Sequence, residues 1–290
     1  MKDIKITDVR ERPGDASFLI DNGTTAILYD TGFAFTGYAV AKRISRELSG
    51  RKLDYIFLTH SHYDHALGSV YIKRMYPEAK VVAGEYAAKI FAKPSARSLM
   101  RELDKKYAAK CGIYEYEDLI DELSADIAVK DGDIIKAGDI EFSALSLPGH
   151  TKCSFGFYCE SKKLLFGNET LGVFNGKDDI VPSYLVGYEM TMQSIKRAKS
   201  LDIEHIVVPH YGLISGDTAK LYLEKSYETT KNTTEEFVSL MRSGITNEEI
   251  LEVFKRKFYH GDIIEKYPVD AMTLNVSIMT ELIRKEFNIQ

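Results

Sequence analysis

The run Leu53-Asp-Tyr-Ile-Phe-Leu58 leads straight into Thr59-His60-Ser61-His62-Tyr63-Asp64-His65. Its first six residues are nearly all apolar, interrupted only by Asp54. That is the pattern of a short strand buried on both faces. At its mouth stand three histidines and an aspartate in the order H-x-H-x-D-H. Alternate residues of an extended segment point the same way, so His60 and His62 can converge on one point. The turn that follows can aim Asp64 and His65 at a neighbouring point. This mix of imidazole and carboxylate suits two borderline-soft divalent cations. The competing reading is a surface histidine cluster. At residue frequencies of a few per cent, a chance match in a chain of this length is on the order of one in ten thousand.

Upstream of the motif, residues 4–10, 16–21 and 24–30 read as strands. Asp21-Asn22-Gly23 supplies the hairpin turn between the last two, because Asn and Gly tolerate positive φ. Asp30-Thr31-Gly32 breaks the third strand. Residues 38–48 carry a helical stripe of Val40, Ala41, Ile44 and Leu48. Downstream, residues 66–75 read as helix and 80–83 as strand. Residues 85–126 read as mostly helical, and strands return over 127–166. Residues 171–186 read as a long loop, which in a compact domain is often functional. A helix over 188–200 and a strand over 203–208 follow.

Beyond about residue 215 the chain reads as wholly helical. Thr246-Asn-Glu-Glu249 is a capping-box signature, and Pro268 sits just before the last helix. In that helix Leu274, Ile278, Leu282 and Ile283 fall at helical spacing and predict its packing face.

Two further histidines follow predicted strand ends: His150 in Pro148-Gly149-His150-Thr151, and His210 in Pro209-His210-Tyr211-Gly212. Alone, either would be ordinary. Beside a six-residue metal cluster they supply the missing donors. His205 and His260 have no such context and read as ordinary.

Composition narrows the classes. The chain has 290 residues, 44% hydrophobic and 28% charged, which is globular and excludes a disordered or low-complexity protein. About two domains fit that length. No apolar run of roughly 18 residues appears, so no membrane span is expected. The opening residues lack the apolar core of a secretory signal, and a cytoplasmic location is the expectation. Thirty-eight basic residues against 43 acidic ones leave a net charge of −5, which gives no support to nucleic-acid binding. Cys111, Cys153 and Cys159 form no CxxC pair and read as reduced thiols.

Taken together, Thr59–His65, Pro148-Gly149-His150-Thr151, Leu165-Phe-Gly-Asn-Glu169-Thr170 and Val208-Pro-His210 resemble the metallo-β-lactamase-fold hydrolase superfamily. Their order and spacing match, along with the opening strands and Asp30-Thr31-Gly32, over about residues 4–215. The resemblance implies an α/β fold, a four-layer αββα sandwich, here with a C-terminal helical extension. The expected division is a catalytic domain over 1–215 and the extension over 216–290. The resemblance also implies one metal held by His60, His62 and His150, and a second held by Asp64, His65 and His210. Zinc is the first expectation for both, with iron or manganese as alternatives.

The family usually bridges the two ions with an aspartate after Leu-Phe-x-Gly. Here the equivalent position is Glu169, preceded by Asn168. Glutamate keeps the charge and adds one methylene. It can bridge, bind one ion only, or withdraw from the metals and merely cap a turn.

The implied chemistry is hydrolysis of a small ester, thioester, lactone, β-lactam or phosphodiester by a metal-bound hydroxide. Asp64 is then a catalytic residue as well as a ligand, orienting the nucleophile or shuttling its proton. Phe33, Phe35, Tyr107, Phe174, Tyr184 and Tyr188 lie in the segments expected to line the site. They suit a substrate with a flat or apolar part, or they simply pack. An iron-dependent dioxygenase or oxidoreductase and a nuclease are the alternatives on the same fold. The flavin-coupled di-iron branch is disfavoured, because it places Glu where His62 stands and carries an attached flavodoxin-like domain. The expected partner is a small-molecule substrate, with no nucleic acid and no membrane. The C-terminal helices could form a homodimer seam.

Overall fold

Three helical crossovers determine how the first half of the chain is built, because each returns the chain to start the next strand parallel to the last. The computed structural model describes residues 4–176 and 179–289. Contacts divide the chain into two units, residues 1–146 with 155–162, and residues 147–154 with 163–290.

In the first unit, β1 (Lys5–Asp8), β2 (Phe18–Asp21) and β3 (Ala26–Tyr29) form an antiparallel meander. The predicted Asn22-Gly23 turn joins the last two, with Gly23 at φ +89°. Then α1 (Gly37–Leu48) crosses to β4 (Tyr55–Phe57). Two short helices, α2 (Tyr63–Ala66) and α3 (Gly68–Met75), cross to β5 (Lys80–Gly84). Next α4 (Glu85–Phe91) and α5 (Pro94–Lys110) cross to β6 (Ile127–Val129). The sheet order is β1-β2-β3-β4-β5-β6, parallel from β3 onward. All four residues of β3 are buried, as expected of a strand covered on both faces. The unit is completed by β7 (Ile134–Ala137), β8 (Ile140–Ser146) and β9 (Phe155–Cys159), paired antiparallel in that order.

Because β3 and β4 are parallel, their carboxyl ends lie side by side, with Tyr29 paired to Phe57. Asp30 and Thr59 therefore emerge next to each other. In such sheets this edge is where ligands gather.

The second unit repeats the device. β10 (Leu164–Phe166) runs parallel to β13 (His205–Val208), and α6 (Tyr188–Lys199) lies between them in the chain. Phe166 pairs with Val207, so Glu169 and His210 each stand three residues past a paired position. Between β10 and α6 the chain forms a small antiparallel pair, β11 (Val173–Phe174) and β12 (Ile180–Val181). β14 (Gly212–Ser215) pairs antiparallel with β13.

The C-terminal helices are α7 (Asp217–Arg242), α8 (Asn247–Phe258), α9 (Ile263–Lys266) and α10 (Val269–Glu286). They share a core of Phe237, Met241, Ile250, Phe254, Phe258, Met272, Val276, Met279 and Ile283 with Val181 and Tyr184. The capping box of Thr246 and Glu249 is formed at the start of α8.

The structure corrects three expectations. The segment expected as a loop over 171–186 contains the β11–β12 pair, and its residues 177 and 178 lie outside the described residues. The helical reading of 85–126 ends at Lys110; the chain then runs irregularly to a 3₁₀ turn at Ile120–Glu122. The face of α10 is Met272, Val276, Met279 and Ile283, while Leu274 is 58% exposed. Among the described residues, no helix is long and apolar enough to cross a membrane.

Candidate metal centre

In the first unit the motif follows the end of β4, and the turn expected after His62 is a single helical turn carrying Asp64 and His65. β4 ends at Phe57, and the chain bends at Ser61 between His60 and His62. His62, at φ −72° and ψ 150°, then serves as the N-cap of α2. Asp64 and His65 thus sit on a helical turn, where neighbouring residues point in different directions.

The ring centres of His60 and His62 are 4.6 Å apart, and those of His60 and His65 are 4.1 Å apart. Donor atoms of His60 and His62 lie within 4.8 Å of each other, and His65 Nε2 is 3.6 Å from Asp64 Oδ2. His60 and His65 are fully buried, and Asp64 is partly exposed.

What orients these rings is Asp30. Its carboxylate accepts from the Thr59 backbone N–H at 2.8 Å and from the Thr59 hydroxyl at 2.9 Å. The same carboxylate stands 2.9 Å from His65 Nδ1. With its proton given to Asp30, the Thr59 hydroxyl can accept from His60 Nδ1, 3.0 Å away. Both rings are thereby held in the tautomer that leaves Nε2 with a lone pair for a metal. Thr31 adds a hydroxyl hydrogen bond to the His65 carbonyl at 2.7 Å. Gly68 lets α3 come close: a Cβ there would fall 2.0 Å from the Thr31 carbonyl.

The second unit presents His150, Glu169 and His210, all buried. His150 Nδ1 lies 3.1 Å from the Ser183 carbonyl and 3.0 Å from its hydroxyl. That fixes the same tautomer and turns Nε2 toward Glu169 Oε2 at 3.0 Å. The other oxygen, Oε1, is 3.1 Å from His210 Nε2. One carboxylate therefore reaches both histidines, an oxygen to each. His210 takes a left-handed conformation at φ +62°, which sets the sharp turn from β13 into β14. The His150 backbone N–H donates to the Thr170 hydroxyl at 3.0 Å. Gly149, at φ +149°, has Thr191 Oγ1 where a Cβ would stand, 2.3 Å away.

Every ligand candidate read from the sequence thus sits in one of two half-sets: His60, His62, Asp64 and His65 in one unit, and His150, Glu169 and His210 in the other. Three orienting residues fall outside the set read from the sequence. Asp30 and Thr59 carry a signal, being strand-end residues of the quoted motifs. Ser183 carries none. Of the aromatic residues expected to line the site, Tyr184 is instead fully buried, bonded to Thr234 at 2.8 Å, and Tyr188 packs on Phe287. His205 and His260 have partners remote from the ligands, Ser215 and the Lys257 carbonyl.

The Nε2 atoms of His60, His65 and His150, each with its Nδ1 tied to oxygen and set beside carboxylates, form the donor chemistry of a divalent metal site. Comparison with known proteins agrees. The chain belongs to the metallo-β-lactamase superfamily, whose family model matches residues 12–210. A metallo-β-lactamase family protein from Thermus thermophilus superposes with a TM-score of 0.65 at 17% identity, covering 99% of this chain and 95% of that one. A probable hydroxyacylglutathione hydrolase of Schizosaccharomyces pombe is 29% identical over 121 residues, 41% of this chain and 34% of that protein. A hydroxyacylglutathione hydrolase of Francisella tularensis subsp. holarctica is 28% identical over 148 residues, 50% of this chain and 46% of that protein. The chain therefore spans a third to a half of the length of these curated relatives.

Proposed function

We propose that the two half-sets hold two divalent cations, first of all zinc, and that the protein hydrolyses a small acyl compound, an ester or thioester. His60, His62 and His150 are assigned to one ion, Asp64, His65 and His210 to the other, and Glu169 to both. The observation that carries this reading is Glu169, whose two oxygens each face a histidine assigned to a different ion. The names of the curated relatives favour acyl substrates over phosphodiesters. All the assigned residues fall within 1–215.

Bound divalent cations supply Lewis acidity, which makes water a nucleophile near neutral pH and polarises a carbonyl oxygen. The chain's own residues do the rest. Asp64, the most exposed carboxylate of the set, orients the attacking water and takes its proton. Asp30 and Ser183 hold the histidine rings so that little reorganisation accompanies the reaction. Burial of His60, His65, His150, Glu169 and His210 excludes competing water from the ligand side.

The test is elemental analysis of the purified protein followed by turnover of a panel of esters, thioesters, lactones, β-lactams and phosphodiesters. Two equivalents of metal and acyl hydrolysis lost in His62→Ala are the expected result. Activity persisting in His62→Ala, or bound iron with oxygen consumption, would overturn it.

A further inference from the structure

The first unit carries a wall of aromatic rings that includes Tyr63 of the histidine motif. Phe33 stacks on Phe35 at 5.0 Å and meets Tyr63 at 5.7 Å and Tyr107 at 4.8 Å. Phe35 also meets Tyr107 and Tyr116, each at 6.2 Å. Tyr63 stands between His62 and Asp64 in the chain, so its backbone is shared with two candidate ligands while its ring meets Phe33. Phe33 is buried and forms the backing, while Phe35, Tyr63, Tyr107 and Tyr116 are half-buried.

At Phe35 stands Arg12, its guanidinium carbon 5.6 Å from the Phe35 ring centre. Arg12 is half-exposed, and among the described residues no carboxylate pairs with its guanidinium. Its neighbour in sequence Arg10, also half-exposed, behaves differently and is paired with Asp8 at 2.6 Å.

The segment that carries Phe33 and Phe35 is held at an energetic cost. Asp15 accepts from the Thr36 hydroxyl at 3.0 Å and from the backbone of Glu11 and Arg12. Asp104 accepts from the Ala34 backbone at 2.9 Å and from the Tyr116 hydroxyl at 2.5 Å. Both carboxylates are fully buried. Two buried acids thus fix the loop of Phe33 and Phe35 and the backbone of Arg12. This is the kind of support that a recognition surface needs.

We infer that this strip selects the substrate: the reacting carbonyl lies at the Asp64 end, a planar apolar group lies on Phe35, Tyr63 and Tyr107, and an anionic tail reaches Arg12. The substrate class is an ester or thioester with an aryl or similarly flat segment ending in a carboxylate. This rests on the acyl-hydrolase reading above. Ring-on-ring contact adds about fivefold in affinity, and a carboxylate on an unpaired guanidinium about tenfold more.

Three inert ligands separate the terms on zinc-loaded protein by titration calorimetry: propanoate, 3-phenylpropanoate and 3-(4-carboxyphenyl)propanoate. Affinity should rise in two steps along that series. Phe35→Leu should shrink the first step, and Arg12→Gln should reduce the second to about onefold, with circular dichroism confirming that both variants are folded. Equal binding of propanoate and 3-phenylpropanoate by the unaltered protein, or a second step that survives in Arg12→Gln, would overturn the inference. Zinc content and phenyl acetate turnover are measured alongside. Failure there with both steps intact removes the hydrolase reading alone, and turnover with flat affinities removes the strip alone.

Discussion

Replacing Asp30 by asparagine changes one atom and turns an acceptor into a donor. The native carboxylate faces donors on every side: the Thr59 backbone N–H at 2.8 Å, the Thr59 hydroxyl at 2.9 Å and His65 Nδ1 at 2.9 Å. An amide has only one oxygen. If that oxygen stays with Thr59, the amide N–H₂ faces His65 Nδ1. The ring then moves its proton to Nε2 to accept, and Nε2 ceases to be a ligand. If the oxygen turns to His65, the N–H₂ faces the Thr59 backbone N–H, leaving two buried donors opposed. The backbone is not a confounding factor, because Asp30 sits at φ +50°, which asparagine tolerates equally.

Losing one charge-assisted hydrogen bond in a fully buried site costs about 1.5–3 kcal/mol. That corresponds to about 10–100-fold in affinity for the ion assigned to His65, the range found when a partner of a ligating histidine is removed. Chelator competition would measure the affinity of each ion, and long-range nitrogen–proton correlation NMR would read which nitrogen of His65 carries the proton. The expected result is weakened binding of one ion, with a protonated Nε2 in the apo variant. Affinities unchanged within twofold, in a variant that stays folded, would refute the reasoning.

Glu169→Ala should release one of two metal equivalents, read by elemental analysis; unchanged stoichiometry would count against a bridging carboxylate. Burial pushes the Asp104 carboxyl up to about 6, above its value in the unfolded chain. The native state therefore holds the extra proton between about pH 4 and 6, and stability falls as pH rises through that window. Urea unfolding at several pH values should show the native protein losing about 2–3 kcal/mol across it relative to Asp104→Asn, and parallel curves for the two would disprove this. In α10, Met272→Ala should cost about 2–4 kcal/mol, while Leu274→Ala should stay within about 0.5 kcal/mol. The same denaturation assay checks both, and the reverse order would contradict the packing face.

How far the sequence can be read depends on whether a feature is local. The H-x-H-x-D-H run, the Asn22-Gly23 turn and the Thr246–Glu249 box are each set by residues a few positions apart. The sequence also places His150 and His210 at strand ends, because apolar runs give way to Pro and Gly there. The register between β10 and β13 is not legible, and that register is what brings Glu169 and His210 together. Ser183 belongs to the same category, orienting a ring 33 positions away. The stripe on α10 misleads because leucine and isoleucine outweigh Met272, Val276 and Met279 in a reading by hydrophobicity, and methionine fills irregular core gaps as well as they do. The β11–β12 pair escapes because strands of two residues leave no periodicity.

The same local geometry bears on the glutamate that replaces the family's usual aspartate. A carboxylate after a strand can be present only to cap the turn that follows. Here that task is done by Asn168, whose side-chain oxygen accepts from the Thr170 backbone N–H at 2.8 Å and caps the 3₁₀ turn at Glu169–Leu171. Thr170 in turn accepts from the His150 backbone N–H, so the cap also ties one ligand's backbone to the other's. The turn is therefore closed by Asn168. The two oxygens of Glu169 stand 3.0 Å from His150 and 3.1 Å from His210. A carboxyl side chain buried at a cost in both solvation and rotamer entropy is explained by what it faces. The extra methylene gives the carboxylate the span to meet both rings from one backbone position.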